Sequence, residues 1–285
     1  MSVWVEAARP RTLPAAIVPV LIGTATTGRV IAWRFAAALV VSLALQVAVN
    51  YANDYFDGVR GIDTPDRAGP RRATAAGLVR PAQMKVAIAA SLGVAAAAGL
   101  ALTAAVGPEL LAVGAASAMA ALAYSGGPKP YASAGLGEVF VFVFFGLVAT
   151  IGSAYVQVET VTRLSVAAAV PVGLLATAIL VVNNLRDIPT DAATGKRTLA
   201  VRLGPDGTRR LFAALLAGAA LGTVVAAAVS PHTPRALALL LVFVLAVPLA
   251  REVSRAEGAQ LVRSLGRTAQ LHLLYGIAGS VALWR

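Results

Sequence analysis

Residues 35–58 read FAAALVVSLALQVAVNYANDYFDG, an apolar run that ends in a cluster of amides and carboxylates. The first part of this stretch, residues 35–52, contains no charged side chain. A helix needs roughly 20 apolar residues to cross the hydrocarbon core of a bilayer, and the run approaches that length. The stretch therefore predicts a membrane-spanning helix whose polar end, Asn53 to Asp57, lies at the membrane surface.

The whole chain has the composition of an integral membrane protein. Of its 285 residues, 58% are hydrophobic and only 13% are charged, whereas an ordinary soluble domain is about one quarter charged. So small a polar fraction excludes a soluble enzyme, a disordered chain and a fibrous repeat. The chain has no cysteine, which excludes disulfide bonds and thiolate metal sites.

Eight further stretches are similar to the first and predict additional spans. Each is apolar, carries no charge in its interior, with Glu138 only near the start of 136–157, and approaches the length that a bilayer requires. We therefore predict an all-α integral membrane protein with nine transmembrane helices, near residues 13–28, 35–52, 86–106, 110–125, 136–157, 164–185, 211–229, 236–250 and 268–284.

The basic residues are distributed unevenly between alternate connections. If the N-terminus is cytoplasmic, 19 of the 24 lysines and arginines lie on the cytoplasmic side and 5 on the other. Cytoplasmic loops collect Lys and Arg, so this split predicts an N-in, C-out topology. The net charge of +11 is then a topology signal, and nucleic acid is not an expected partner. The preference for Arg over Lys, with abundant Ala, indicates a bacterial chain and hence a bacterial cell membrane.

The aspartates are concentrated at two places where an apolar helix emerges on the cytoplasmic side. At the first, Asn50, Asn53, Asp54 and Asp57 are spaced three and four residues apart, so that on a helix they share one face. Ionisable groups at membrane depth are costly and usually functional. This stripe is therefore a candidate site rather than an ordinary solvated surface.

The second cluster, residues 183–191, reads NNLRDIPTD. Asn183, Asp187 and Asp191 would share one face if the helix continued through the whole cluster. Pro189 disfavours a continuous helix, because proline restricts the conformation of the residue before it. We therefore expect a break in the helix ahead of Asp191.

The same order of residue types follows both clusters, namely a glycine, two basic residues and a threonine. This order predicts one membrane domain, 1–285, that consists of two related halves near 1–125 and 126–285. The two longest polar connections, near 53–85 and 184–210, are expected to cap the helices as cytoplasmic loops. Connections of that length usually carry function, so the active site is expected to open to the cytoplasmic side.

The residue types in the two clusters indicate a site for magnesium and diphosphate. Clustered carboxylates repel each other unless a cation joins them, and without His or Cys nearby the ligands are hard oxygens, which favour Mg²⁺ over zinc. Mg²⁺ held by a few carboxylates usually completes its shell with water and substrate phosphates. Arg72, Lys196 and Arg197 follow the clusters and can neutralise the same phosphates. Above an apolar cavity, such a set predicts a site for a lipid diphosphate.

These motifs resemble the UbiA superfamily of membrane-embedded prenyltransferases. The patterns Asn53-Asp54-x-x-Asp57 and Asp187-x-x-x-Asp191 are typical of the superfamily, and the likeness covers almost the whole chain. The stretches NNLRD (183–187) and GKRT (195–198) resemble the branch that acts on 1,4-dihydroxy-2-naphthoate in menaquinone biosynthesis. Other matching stretches are ARPRTLP (8–14), YSGGP (124–128), GLGE (135–138), FFG (144–146) and RTA (267–269).

The resemblance implies nine transmembrane helices around a central cavity, capped by the two polar loops. It implies that four aspartates are catalytic and hold Mg²⁺ together with Asn53, namely Asp54, Asp57, Asp187 and Asp191. The substrate-binding residues that it implies are Asn53, Arg60, Asp66, Arg72, Asn184, Lys196 and Arg197.

The implied reaction transfers a polyprenyl group from its diphosphate to 1,4-dihydroxy-2-naphthoate, with loss of CO₂ and diphosphate. No protein partner is implied. An allylic cation formed during transfer needs aromatic faces, and the candidates are Tyr51, Tyr55, Tyr124 and Tyr155. The acceptor carboxylate needs a basic partner, which Arg9 or Arg186 could supply.

Two alternatives remain open from the sequence. A sibling transferase that uses another aromatic acceptor, such as 4-hydroxybenzoate or homogentisate, would share the same aspartates. A cation-coupled transporter would also have two related halves, with carboxylates near the midplane of the membrane. The aspartates here lie at helix ends on one side, which favours the transferase.

Overall fold

A computed structural model of the protein describes residues 2–62 and 72–285. These residues form helices joined by turns, and there is no strand among them. A short helix, α1 (Val3–Ala7), comes before the longer ones. The longer helices, in chain order, are α2 (Pro14–Ala25), α3 (Ala32–Val59), α4 (Pro81–Val106), α5 (Glu109–Ala123), α6 (Gly137–Val158), α7 (Arg163–Ala193), α8 (Leu199–Ala228), α9 (Thr233–Val253) and α10 (Gln260–Ala282).

The helices α2 to α10 lie where the sequence predicts membrane spans. In the described ranges, six of them are long and apolar enough to cross a membrane: α3, α4, α6, α7, α8 and α9. The apolar helices α2 and α5 have only 12 and 15 residues, and α10 carries Arg267, Gln270 and His272. An all-α membrane fold is therefore confirmed, whereas nine crossings stay a prediction.

The two helices that carry the acidic clusters continue beyond their apolar stretches. α3 ends at Val59 instead of near residue 52, and α7 ends at Ala193 instead of near residue 185. Of the cap loops expected near 53–85 and 184–210, the described residues outside the helices are 60–62, 72–80 and 194–198. The candidate aspartates and asparagines therefore project from helix ends, whereas the candidate basic residues Arg72 and Lys196 lie in the connections.

The expected break at Pro189 is wrong, because α7 runs through this residue to its end. The ring of Pro189 lies on the exposed side of the helix, whereas Asp187 and Asp191 are buried on the other side. A proline within a helix removes one backbone hydrogen bond and usually kinks or breaks the helix. Here the buried face of α7 is continuous, so the helical spacing of the two aspartates is retained.

The helices form two groups that are joined by α2. The buried helix α7 packs along α8 and also contacts α2, α6 and α10. In the second group, α3 packs along α4, and α5 contacts both of them. Because α5 has its main contacts with α3 and α4, the space between α5 and α6 is left for a cavity.

The middle of α6, Phe142–Val148, is π-helical. Within it, Gly146 faces Gly173 of α7, and a Cβ added to Gly146 would lie 2.5 Å from the Cα of Gly173. Short π segments inside helices frequently occur at functional sites. The two glycines allow the backbones of α6 and α7 to approach closely at the π segment.

Replacing Gly146 with alanine is expected to lower the free energy of unfolding by about 1–3 kcal/mol, the usual cost of overpacking. Gly93→Ala in α4 is the matched control, because a Cβ there meets no atom within 4 Å. Alanine is favoured over glycine in a helix by roughly 0.5–1 kcal/mol, so this control should be stabilised. Thermal unfolding in detergent measures both, and equal stability of the two variants would contradict the close contact.

Candidate active site

An elongated cavity of about 250 Å³, the apolar cavity, lies between α3, α5 and α6. Most of its lining is aliphatic or aromatic. The cavity extends from Asn53, near the end of α3, to Val156, near the end of α6, and Leu110, near the start of α5. Among the described residues that line it, the charged and amide side chains gather at one end: Arg9, Gln46, Asn50, Asn53 and Asn183. The shape and polarity suit a long apolar chain with a polar head.

One wall of the apolar cavity is a stripe of residues from α6. Phe140, Phe144, Val148, Gly152 and Val156 all line it, at intervals of four residues. In a regular α-helix of 3.6 residues per turn, a stripe with this spacing would turn by about 160° over its length. The wider turns of the π segment compensate for much of this rotation, so one face of α6 follows the whole cavity.

A second, smaller cavity of about 30 Å³, the polar cavity, adjoins the polar end of the first. Asn53, Tyr124 and Asn183 line both cavities. The other residues of the polar cavity come from the end of α3, the end of α7 and three turns: Asp57, Arg72, Ser125, Ala132, Ser133, Asn184, Asp187, Asp191, Lys196 and Thr198. The structure thus brings both acidic clusters together at one place.

The first cluster meets the turn after α7 through an ion pair. Asp57 is 1% exposed, and its Oδ2 accepts a hydrogen bond from Nζ of Lys196 at 2.7 Å. Arg9, which precedes α2, donates a hydrogen bond to Oδ1 of Asn53 at 2.9 Å. The Asp57–Lys196 pair connects the ends of α3 and α7 and places a carboxylate and an ammonium side by side in the polar cavity.

Asp54 is as buried as Asp57, but its carboxylate has a different environment. Its Oδ1 accepts a hydrogen bond from the backbone N–H of Thr74 at 2.8 Å, and its Oδ2 accepts one from that of Ala73 at 2.9 Å. Asp54 lines neither cavity. Asp54 instead holds the turn at Ala73 and Thr74. This turn directly follows Arg72, which lines the polar cavity, so Asp54 helps to position Arg72.

The second cluster contains a buried bidentate ion pair. Arg186, which is 6% exposed, donates from Nε to Oδ1 of Asp187 at 2.7 Å and from NH2 to Oδ2 at 2.8 Å. It also donates to Oδ1 of Asn183 at 2.9 Å. Bidentate pairs of this kind are strong and fix geometry. Arg186 therefore orients Asp187 from outside the polar cavity, which it does not line.

A second buried contact fixes the neighbouring asparagine. Asn184 donates a hydrogen bond to Oε1 of Glu138 at 3.0 Å, and both side chains are buried. Because Glu138 begins α6, this bond connects α6 to α7 beside the polar cavity. Asp191 completes the polar face of α7, four residues after Asp187, where the uninterrupted helix places the two on the same side.

Four of the seven substrate-binding residues predicted from the sequence line the polar cavity: Asn53, Arg72, Asn184 and Lys196. Arg60 instead donates hydrogen bonds to the carbonyl oxygens of Ser125 and Gly127, at 2.7 and 2.6 Å. Arg197 is exposed and lines neither cavity. Asp66 lies outside the described residues.

The donors around the polar cavity have the chemistry that Mg²⁺ requires. They are carboxylate oxygens of Asp57, Asp187 and Asp191 and amide oxygens of Asn53 and Asn184. Within residues 2–62 and 72–285, no three side chains of His, Cys, Asp or Glu converge on one point as a complete metal site. Mg²⁺ is usually bound by one or two carboxylates together with substrate phosphates, not by an all-protein cage. The residues present therefore fit this ion.

Aromatic rings form a continuous row beside both cavities. Tyr124 contacts Tyr131 edge-on at 5.5 Å between ring centroids, Tyr131 stacks on Phe140 at 3.9 Å, and Phe140 is 6.0 Å from Phe144. Burial raises the pKa of the Tyr131 phenol above its ordinary value. Because an unperturbed tyrosine titrates only at a pH of about 10, the row presents π faces without a negative charge at physiological pH.

Sequence reasoning identified only one member of this row, Tyr124. The other three candidate tyrosines make contacts outside both cavities: Tyr51 with Trp4, Tyr55 with Lys85 and Tyr155 with Glu109. The residues that it missed are Tyr131, Phe140, Phe144, Ser125, Ser133, Thr198 and the positioning residue Glu138. The signal for Tyr131 was the Gly- and Pro-rich loop before it, which folds back so that Tyr131 donates to the carbonyl oxygen of Ala120 at 2.9 Å.

The fold and the site define an intramembrane enzyme for a lipid with an anionic head, because an apolar cavity opens directly onto carboxylates, amides and basic groups. The profile of the UbiA prenyltransferase family matches residues 15–271, and the chain belongs to this family. It is similar to the 1,4-dihydroxy-2-naphthoate octaprenyltransferase of Mycobacterium tuberculosis, with 45% identity over 98% of this chain and 96% of that protein. The family predicted from the motifs is therefore confirmed.

Solved structures of two archaeal proteins have the same fold. The UbiA homolog from Aeropyrum pernix superposes with a TM-score of 0.69 and 18% identity, covering 99% of this chain and 98% of that one. The UbiA homolog from Archaeoglobus fulgidus bound to GPP and Mg²⁺ gives a TM-score of 0.66 and 14% identity, covering 98% of this chain and 100% of that one. At these identities the likeness establishes the fold.

Proposed function

We propose that this protein transfers a polyprenyl group from its diphosphate to 1,4-dihydroxy-2-naphthoate, releasing CO₂ and diphosphate and giving demethylmenaquinol. The observation that carries the proposal is the junction of the two cavities at Asn53, Tyr124 and Asn183. There a polyprenyl chain in the apolar cavity would meet its diphosphate in the polar cavity. The name of the 45% identical relative supports the naphthoate as acceptor.

The polar cavity supplies groups of both signs for the diphosphate. Arg72 and Lys196 can bind its oxygens directly, and Arg186 holds the Asp187 carboxylate in place from behind. Asn53, Asp57, Asp187 and Asp191 would hold Mg²⁺, and the A. fulgidus homolog was solved with this ion. When bound, Mg²⁺ supplies positive charge that stabilises the leaving diphosphate.

The transfer needs no protein nucleophile, because the acceptor ring is rich in electrons. Overall, the allylic C–O bond breaks with its electron pair going to the diphosphate, and the ring supplies the pair for the new C–C bond. The carboxylate leaves as CO₂, and the pair of its C–C bond stays with the ring. The neutral aromatic row from Tyr124 to Phe144 can stabilise the allylic cation, and the apolar walls keep water away from it.

Replacing Lys196 with glutamine is expected to raise the KM for the polyprenyl diphosphate by about 10- to 100-fold. A hydrogen bond to a charged group contributes roughly 1.5–3 kcal/mol, and each 1.4 kcal/mol is about tenfold in affinity. Arg197→Gln is the matched control, because its side chain is exposed and exposed charges contribute little. Steady-state kinetics with varied donor compares the two, and an equal change in both variants would contradict the assignment of Lys196.

We also propose an N-in, C-out arrangement with nine crossings in a bacterial plasma membrane, and a polar cavity that opens to the cytoplasm. The uneven distribution of Lys and Arg supports it. Because the chain has no cysteine, single cysteines can report on each side. In intact cells, a membrane-impermeant maleimide should label His232→Cys, between α8 and α9, and spare Glu257→Cys, between α9 and α10. Labelling of Glu257→Cys with protection of His232→Cys would contradict this arrangement and indicate the inverted topology.

The choice of acceptor is tested by competition. Purified protein in detergent is given a polyprenyl diphosphate and Mg²⁺ with equal amounts of 1,4-dihydroxy-2-naphthoate and 4-hydroxybenzoate. Prenylation of the naphthoate alone is the expected result. Prenylation of the benzoate alone would retain the transfer chemistry and change the pathway. In a second assay, the protein is reconstituted in lipid vesicles. Transport of intact polyprenyl diphosphate across the vesicle membrane, without release of diphosphate, would instead indicate a transporter.

A further inference from the structure

Arg9 occupies a singular position in the apolar cavity. Among the described residues that line this cavity, it is the only one with a charged side chain. It lies at the end of the cavity that joins the polar one, and its NH2 donates to Oδ1 of Asn53 at 2.9 Å. Asn53 and Tyr124, which line both cavities, line the apolar cavity together with Arg9.

The backbone holds Arg9 in an unusual conformation. Its φ of 53° and ψ of 70° lie in the left-handed region, which is uncommon for residues other than glycine. The backbone N–H of Arg9 donates to the carbonyl oxygen of Glu6 at 3.1 Å, and its own carbonyl oxygen accepts from Thr12. Asn50 donates to the carbonyl oxygen of Ala8 at 2.8 Å. Such conformations persist where the surroundings fix them, and they cluster at ligand-binding positions.

The other buried or partly buried basic groups near the site have different surroundings. Arg186 forms a bidentate pair with Asp187 and lines neither cavity. Lys196 contacts Asp57, and Arg72 lines the polar cavity but not the apolar one. On the apolar side of the junction, where an aromatic acceptor must meet the allylic carbon, the described cationic group is Arg9.

We propose that Arg9 is the specificity residue that binds the carboxylate of the aromatic acid acceptor. This inference rests on the proposed function and deepens it. The planar guanidinium suits bidentate binding of a carboxylate, and the hydrogen bond to Asn53 orients it. A carboxylate held at Arg9 sets the acceptor ring beside Tyr124, at the end of the donor chain. The sequence left Arg9 and Arg186 as alternatives, and the structure favours Arg9.

The test separates acceptor binding from donor binding. Arg9→Gln is expected to raise the KM for 1,4-dihydroxy-2-naphthoate by about 10- to 100-fold, the range for a lost hydrogen bond to a charged group. The KM for the polyprenyl diphosphate should change less than about threefold. Arg9→Lys, which keeps the charge, should recover part of the loss. Arg11→Gln is the matched control, because Arg11 is exposed two residues away and lines neither cavity.

Two competitive inhibitors provide a readout that a purely structural role would not give. In Arg9→Gln, the Ki of 1-hydroxy-2-naphthoate should rise like the KM of the acceptor, whereas the Ki of 1-naphthol, which lacks the carboxylate, should stay the same. Equal weakening of both inhibitors, or a rise in the donor KM with an unchanged acceptor KM, would overturn the proposal. Failure of the unaltered protein to prenylate the naphthoate would refute the proposed function instead, so the two failures are distinguishable.

Discussion

Replacing Asp57 with asparagine is expected to lower kcat/KM by about a thousandfold. Asp57 is 1% exposed, lines the polar cavity and pairs with Lys196, so the change removes a carboxylate that would hold Mg²⁺ and that positions the Lys196 ammonium. Both cations would stabilise the leaving diphosphate, and removing one preorganised electrostatic group from a site typically costs about 10²–10³ in rate. Diphosphate release at varied Mg²⁺ measures the effect.

Asp54→Asn is the matched comparison, because the two aspartates are equally buried and three residues apart. The Asp54 carboxylate accepts hydrogen bonds from the backbone of Ala73 and Thr74, so its variant should lose roughly tenfold in activity. Two weakened hydrogen bonds to a charged group should also lower the free energy of unfolding by about 2–3 kcal/mol. Equal losses of activity, with the same Mg²⁺ dependence, would show that Asp54 acts within the site.

Replacing Asp187 with asparagine is expected to have two effects: loss of activity and a lower free energy of unfolding. The substitution removes a carboxylate from the polar cavity and leaves the buried guanidinium of Arg186 without its ion-pair partner. Breaking a buried pair by removing one partner costs about 3–5 kcal/mol. Unfolding in detergent and diphosphate release are measured on the same preparation.

The double variant Arg186→Met/Asp187→Asn separates the two effects. It removes the unpaired cation, so stability should return towards that of the unaltered protein, while activity should remain absent. A double-mutant cycle gives the coupling between the two side chains. A coupling near zero would contradict the bidentate pair, and recovery of activity in the double variant would show that Asp187 is not required for the reaction.

The sequence predicted the acidic clusters and their meeting, but it could not separate the residues within each stripe. Asp54 and Asp57 have the same residue type, the same helix face and the same burial. Only the fold of the turn at Ala73 and Thr74, which follows the first cluster, shows that one carboxylate binds backbone amides while the other lines the polar cavity. Contacts of this kind depend on tertiary structure and have no periodic signal.

The difference at Pro189 has a similar origin. The local preference of the chain predicted a break, but the ring of Pro189 lies on the exposed side of α7, where it does not interrupt the buried face. The π segment of α6 was also outside the reach of sequence reasoning, because nothing in the pattern FVFFGLV distinguishes a π turn from an α turn. Its Gly146 packs closely against Gly173 of α7, a tertiary contact with no local signal in the sequence.

The division into two related halves, near 1–125 and 126–285, stays a prediction. α3 and α7 each carry one acidic cluster at a helix end, and both ends line the polar cavity. This arrangement agrees with the repeated order of residue types in the sequence.

The sequence also could not decide between Arg9 and Arg186 as a partner for the acceptor carboxylate. That Arg186 is next to Asp187 in the chain does not reveal the bidentate ion pair that the two side chains form.

The central claim, decarboxylative prenyl transfer to the naphthoate, is tested most directly by counting products. The purified protein is given a polyprenyl diphosphate, Mg²⁺ and 1,4-dihydroxy-2-naphthoate labelled at its carboxyl carbon, and labelled CO₂, diphosphate and prenylated naphthalene are measured together. We predict that the three appear in equal amounts, and that Asp57→Asn forms all three about a thousandfold more slowly. Release of diphosphate without prenylated product and labelled CO₂, from protein shown to be folded, would contradict the proposed function.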